Sequence, residues 1–226
     1  MVKRILKILL GVALLPVCFG FSWQFGSTLL SITYKPELPY YFIAGCLVYL
    51  TVHILFRKPI LTYVIGHELT HAFFAMLFGG SVKSFKASER GGQVTITKSN
   101  VIITLAPYFF PLYTFLTLLV YWVSIYFEVP GAAAWLIFLS GATVTFHVVL
   151  TLIFLRTDQN DIREHGIIFS YPLIYLFNVI LGALLVYLLL ADNMNYFGFL
   201  AGGILKSTES IVRLFKILYD FILRML

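Results

Sequence analysis

Residues 59–79 read PILTYVIGHELTHAFFAMLFG, and this stretch decides how the rest of the chain is read. About 20 residues cross a bilayer as a helix, so the segment is long enough to span. Its strongly polar side chains are confined to His67, Glu68 and His71. Residues i and i+4 share a helical face, so His67 and His71 can present two imidazole nitrogens to one metal ion. Glu68, one position on from His67, can reach a water on that ion. Zinc suits such a site, because it takes nitrogen and oxygen ligands tetrahedrally and a catalytic site keeps one position for water. The pKa of that water falls toward about 7, and Glu68 can take its proton and pass it to a leaving amine.

The motif is specific. With 5 His and 6 Glu among 226 residues, a shuffled chain would contain HExxH roughly twice in a thousand. The bilayer adds weight: a charged side chain near its centre costs about 2.5–3.5 kcal/mol on insertion scales, so such residues persist mainly for function. The competing reading, a hydrogen-bonded polar cluster that joins helices, has to account for three such residues within five positions.

The flanking sequence has the same apolar character. Residues 8–34, 38–56, 99–127, 129–155 and 166–191 contain no Asp, Glu, Lys or Arg, and each run is long enough to cross. The chain is 60% hydrophobic and 12% charged, against about 25% charged for a soluble domain, which excludes an ordinary water-soluble fold. The expectation is an all-α, multi-pass integral membrane protein of about six transmembrane helices, with the lipid bilayer as its surroundings. The net charge of +6 and pI near 9.3 do not point to nucleic acid. The basic residues sit at the ends of apolar runs, where positive-inside bias and lipid headgroups explain them. Cys18 and Cys46 fall inside apolar runs and read as small core residues. The first run, preceded by Lys3, Arg4 and Lys7, lacks a small-residue cleavage site and reads as a retained span.

Between the HExxH segment and the next span lies the one extended polar stretch, residues 81–100, SVKSFKASERGGQVTITKSN. Strand-forming residues around the turn signal Glu89-Arg90-Gly91-Gly92 predict a small β-hairpin with strands at about 81–87 and 93–98. Residues 204–226 interleave Lys206, Arg213, Lys216 and Arg224 with apolar residues, the pattern of a basic amphipathic helix that lies in the membrane interface or packs on the bundle.

Two His and a water leave one protein ligand to find. Asp158 and Asp161 lie in a short polar break, Arg156–Arg163, between two apolar runs, where a carboxylate can reach back to a metal or simply cap a helix. His147, mid-span, either faces the same interior as the metal or is a hydrogen-bonded interior residue. His53 has no partner pattern.

These residues resemble the site-2 protease family of intramembrane zinc metalloproteases, in its compact branch. The resemblance rests on HELTH in a hydrophobic span, the Gly-Gly that ends it and the Gly-Gly-Gln-Val-Thr-Ile-Thr strand. It is extended by a following span that opens Leu105-Ala-Pro-Tyr-Phe-Phe-Pro-Leu112 and by the later Asp-containing break. It covers about residues 59–170. It implies that His67, His71 and one later Asp hold one Zn2+ per chain, with Glu68 as general base. It also implies that the hairpin borders the site and offers a strand edge to an unwound substrate. The Asn-x-x-Pro stretch ending in Asp-Gly that better-known members carry is absent, and Asp161 resembles the ligand of the compact branch. Asp161 is preferred over Asp158 because Ile162 resumes the apolar pattern, whereas Asp158 lies near Arg156 and can pair with it.

The expected organisation is N-terminal transmembrane helices over 1–58, a catalytic core over 59–170, and a last span with the basic amphipathic helix over 171–226. The expected activity is cleavage of a peptide bond in or next to a transmembrane segment of a membrane protein or peptide substrate. Pro107 and Pro111 are expected to distort the start of the span that follows the hairpin. The alternatives are a metal-ion or proton transporter that uses the His/Glu cluster and a non-catalytic membrane scaffold. A transporter calls for acids distributed over several spans, yet Glu68 is the one acid inside a span. The intact HExxH argues against a scaffold.

Overall fold

In lipid a single chain segment can satisfy its own N–H and C=O groups only as a helix, and the apolar runs fold accordingly. The computed structural model describes residues 2–225 other than Asp158. In chain order come α1 (Val2–Ser31), α2 (Leu38–Leu55), α3 (Ile60–Leu77), strands β1 (Val82–Ser88) and β2 (Gly91–Ile96), and α4 (Val101–Leu105). A 3-10 turn (Ala106–Tyr108), α5 (Leu112–Tyr126), α6 (Ala132–Phe154), α7 (Asn160–His165), α8 (Ile167–Leu189) and α9 (Tyr196–Met225) follow. Among the described residues α1, α2, α3, α6 and α8 are each long and apolar enough to cross a membrane.

The run 99–127 is not one straight span. It begins as α4 and the 3-10 turn, then bends by 80° into α5. Pro107 and Pro111 supply no backbone N–H, so the helical ladder breaks between them, and Pro111 stands at the start of α5. If the bent pair counts as one crossing, the spans number six.

The helices cluster into two compact units, residues 1–34 with 165–226 and residues 35–164. In the second unit α2 and α6 meet through small residues. A Cβ on Gly45 would strike the Phe138 carbonyl, and one on Gly141 the Phe42 carbonyl, the close backbone approach by which membrane helices gain van der Waals contact. α3 is held by Tyr63, which is buried with Phe146 and Leu150 of α6 and whose hydroxyl lies 3.3 Å from Thr151 Oγ1. Tyr113 of α5 donates to the Thr62 carbonyl at 2.7 Å.

α3 ends where Gly79 takes a positive φ of 75°. Gly79 N–H donates to the Met76 carbonyl and Gly80 N–H to that of Ala75, at 2.9 and 2.8 Å, which is a Schellman cap. This cap turns the chain into the hairpin. The strands pair antiparallel with Ser88 opposite Gly91 and Phe85 opposite Val94. The turn is therefore only Glu89-Arg90, and the two glycines assigned to it by sequence belong to β2. Asn100 then caps α4, its Oδ1 accepting from Ile103 N–H at 2.9 Å.

The first unit packs α1, α8 and α9 around Phe21, Ala183, Ala191, Met194 and Phe199. α9 starts eight residues before the 204 expected from sequence. Its early part is buried at Phe199, Gly203 and Ser207, with Ser207 Oγ donating to the Gly203 carbonyl at 2.7 Å and the Val17 carbonyl of α1 at 3.3 Å. Its later part leaves Leu214, Phe215, Leu218 and Phe221 exposed beside Arg213, Lys216 and Arg224.

Because Gly141 abuts backbone, Gly141→Val has no flexible neighbour to displace. It should destabilise the protein by about 1–3 kcal/mol or more, read as a lower melting temperature of the detergent-purified protein.

Candidate metal centre

His67 and His71 project from one face of α3, one turn apart, with ring centroids 4.9 Å from each other. Asp161 comes from the first turn of α7, 94 residues after His67 in the chain. Its Oδ2 lies 3.3 Å from His67 Nε2 and 3.4 Å from His71 Nε2. One ligand atom from each of the three lies within 4.8 Å of the others. A tetrahedral zinc with bonds of about 2.0–2.1 Å separates its ligand atoms by about 3.3–3.4 Å. The donor set is also that of a catalytic zinc, two imidazoles and a carboxylate with room for water, so these residues fit the ion. Asp158, the alternative carboxylate, lies outside the described residues.

The surroundings prepare these groups. His71 Nδ1 sits 2.8 Å from the Ile103 carbonyl; donation to that oxygen fixes the ring with Nε2 turned toward Asp161, the usual support of a metal-ligating imidazole. Tyr108 donates its hydroxyl to Asp161 Oδ2 at 2.9 Å. Burial alone would raise the pKa of Asp161, but the hydrogen bonds with His67 and His71 outweigh it and hold the carboxyl well below the usual carboxylate range. Asp161 is therefore ionised at neutral pH.

Glu68 is buried and lines the same cavity as Gly92 and Val94 of β2. Gly92 makes this approach possible, since a Cβ there would lie 2.6 Å from Glu68 Cγ and 2.8 Å from its Oε1. In the hairpin register Ser88–Gly91 is the hydrogen-bonded pair that closes the two-residue turn. Alternation then turns the N–H groups of Gly92, Val94 and Ile96 away from β1. Gly92, Val94 and Ile96 line the same cavity as His67, Glu68, His71 and Asp161, a space of about 300 Å³. The unpaired edge of a two-stranded sheet thus forms one wall of the site.

The structure brings together His67, Glu68, His71 and Asp161, all four residues singled out from sequence. His53 stays apart, beside Tyr49 Oη at 3.3 Å. Sequence reading passed over Tyr108, which is fully buried. Its signal was a tyrosine between two prolines in an otherwise apolar run. It also passed over Gln159, Asn160 and Glu164, which line the cavity on the α7 side and had no motif to mark them.

Among known families, the Peptidase M50B-like model matches residues 40–157, and this is the site-2 protease family. No curated protein and no solved structure matches the chain. The match covers more than half of the 226 residues, and the chain belongs to the Peptidase M50B-like family.

Tyr108→Phe keeps the buried ring and deletes only the hydroxyl that steadies Asp161. Affinity for added zinc, measured by competition with a chromogenic chelator, should fall by about 10-fold or more.

Proposed function

We propose, on the premise of that family membership, that this chain is an intramembrane zinc metalloendopeptidase that cleaves a peptide bond in or next to a transmembrane segment of another membrane protein. The observation that carries the reading is the convergence of His67 Nε2 and His71 Nε2 on Asp161 Oδ2 at zinc-ligand spacing, beside a buried carboxylate and an open strand edge.

His67, His71 and Asp161 would hold the ion, within a catalytic core spanning residues 59–170. When bound, the zinc supplies a Lewis acid that polarises a peptide carbonyl and acidifies water. Glu68 is the general base: it takes a proton from the attacking water and delivers it to the leaving amine nitrogen. Its carboxylate lines the cavity shared with the ligand trio.

A helical substrate hides its scissile carbonyl in the i to i+4 ladder, so it must unwind first. The N–H groups at the free edge of β2 then offer backbone partners that hold the chain extended, as in strand addition. The broken α4–α5 segment places irregular backbone beside the site, which membrane proteins tolerate where it lines a cavity.

Purified protein should carry about one zinc per chain, and His67→Ala, His71→Ala or Asp161→Ala should each remove most of it. Metal analysis of the three variants checks this, and stoichiometric zinc in a His67→Ala/His71→Ala protein would overturn the site. Glu68→Gln keeps shape and zinc but removes the base, so cleavage should fall by at least about 100-fold. Comparing membrane proteomes of cells with wild type and Glu68→Gln should reveal a precursor that accumulates only with the variant.

Ile96→Pro deletes an N–H of the free edge without touching a ligand. It should impair cleavage with zinc content unchanged, and normal cleavage would count against edge pairing.

A further inference from the structure

The two metal-site imidazoles are supported unequally. The Nδ1 of His71 has the Ile103 carbonyl at 2.8 Å, whereas His67 Nδ1 is buried without a hydrogen-bond partner. A ligating imidazole with its Nε2 on the ion carries its proton on Nδ1, and that N–H nearly always has an acceptor. Left alone in an apolar interior such a donor is costly.

A second orphan borders the same space. His147 of α6 is 8% exposed, and its Nε2 is buried with no hydrogen-bond partner. His67 and His147 line one internal cavity of about 10 Å³, close to the room that one water molecule needs. The other polar side chains on that cavity are already engaged. Tyr63 is paired with Thr151 at 3.3 Å, Thr70 donates to the Gly66 carbonyl at 2.7 Å, and Tyr113 donates to the Thr62 carbonyl at 2.7 Å. His67 and His147 thus each carry an unpartnered ring nitrogen and border one space of about one-water size.

We infer that His147 is a positioning residue for the metal centre, which accepts at Nε2, through one buried water, the hydrogen bond chain that begins at His67 Nδ1–H. The water accepts from His67 and donates to His147. His147 then does for His67 what the Ile103 carbonyl does for His71: it fixes the tautomer that leaves the Nε2 lone pair for the ion and locks the ring plane. α6 thereby becomes part of the site without supplying a ligand. The inference rests on the zinc reading proposed above.

The test compares wild type, His147→Leu and His147→Gln by chelator competition for zinc and by thermal melting of the metal-free proteins. His147→Leu should lower zinc affinity by about 10–100-fold. His147→Gln, whose amide oxygen can still accept, should stay within about threefold of wild type, the rescue that sets hydrogen bonding apart from packing. Metal-free melting temperatures should be alike, whereas a merely structural His147 would shift them and leave the affinities equal. Zinc-loaded wild type labelled with 15N-histidine gives a second measurement that needs no variant to fold. His67 should appear as the Nδ1–H tautomer with a slowly exchanging proton, and ligation through Nδ1 would overturn the inference. Equal zinc affinity in wild type and His147→Leu would overturn it alone. A wild-type protein that binds no zinc would overturn the metal reading and this inference with it.

Discussion

A single carboxylate oxygen organises the centre of this protein. Asp161 Oδ2 accepts from Tyr108 at 2.9 Å and lies 3.3 and 3.4 Å from the Nε2 atoms of His67 and His71. These four residues come from α3, from the 3-10 turn after α4 and from α7, and their side chains are largely withdrawn from solvent. An unpaired polar group in an apolar interior is costly, so each arrangement that separates them is penalised. The demand fixes where α7 must sit relative to α3 and why the chain between α4 and α5 cannot run straight. Pro107 gives the helical ladder no N–H, and the 3-10 turn that holds it carries the Tyr108 hydroxyl to the carboxylate.

The second constraint is the closeness of β2 to α3. The Schellman cap at Gly79 and Gly80 reverses the chain at once after α3, so the hairpin has to lie back along the helix it follows. Gly92 lets the strand approach the Glu68 side chain. The same edge carries the N–H groups turned away from β1, so Glu68 and the strand edge are brought together by one close approach. Packing of α2 on α6 through Gly45 and Gly141, and of α6 on α3 through Phe146 and Leu150, holds this part in place.

Much of the architecture was legible from residue type alone. Charge-free runs of span length mark the membrane helices, and the polar stretch with its Gly-Gly marks the hairpin. The errors have local causes. The hairpin turn was read as four residues because Gly91 and Gly92 look like turn formers, whereas Gly92 is there to admit Glu68. The run 99–127 carries the distortion expected at Pro107 and Pro111, but its size, an 80° bend, depends on what packs around them. The start of α9 was placed too late because the basic pattern begins only at Lys206.

By itself the sequence determined the membrane class, the HExxH pair and Glu68 beside it. These depend on composition and on spacing within one helix, and helical geometry converts a four-residue interval into a shared face. The third ligand was narrowed to two aspartates three residues apart and chosen by analogy. Only the tertiary structure decided what surrounds the pair: Asp161 at ligand distance, the Tyr108 hydroxyl on it, the Ile103 carbonyl behind His71 and His147 across a cavity from His67. Those partners lie 32 to 94 residues away along the chain, or on helices whose rotation no local pattern records. Their meeting is a property of how helices pack, which depends on every side chain in the interface and leaves no periodic mark at the positions concerned.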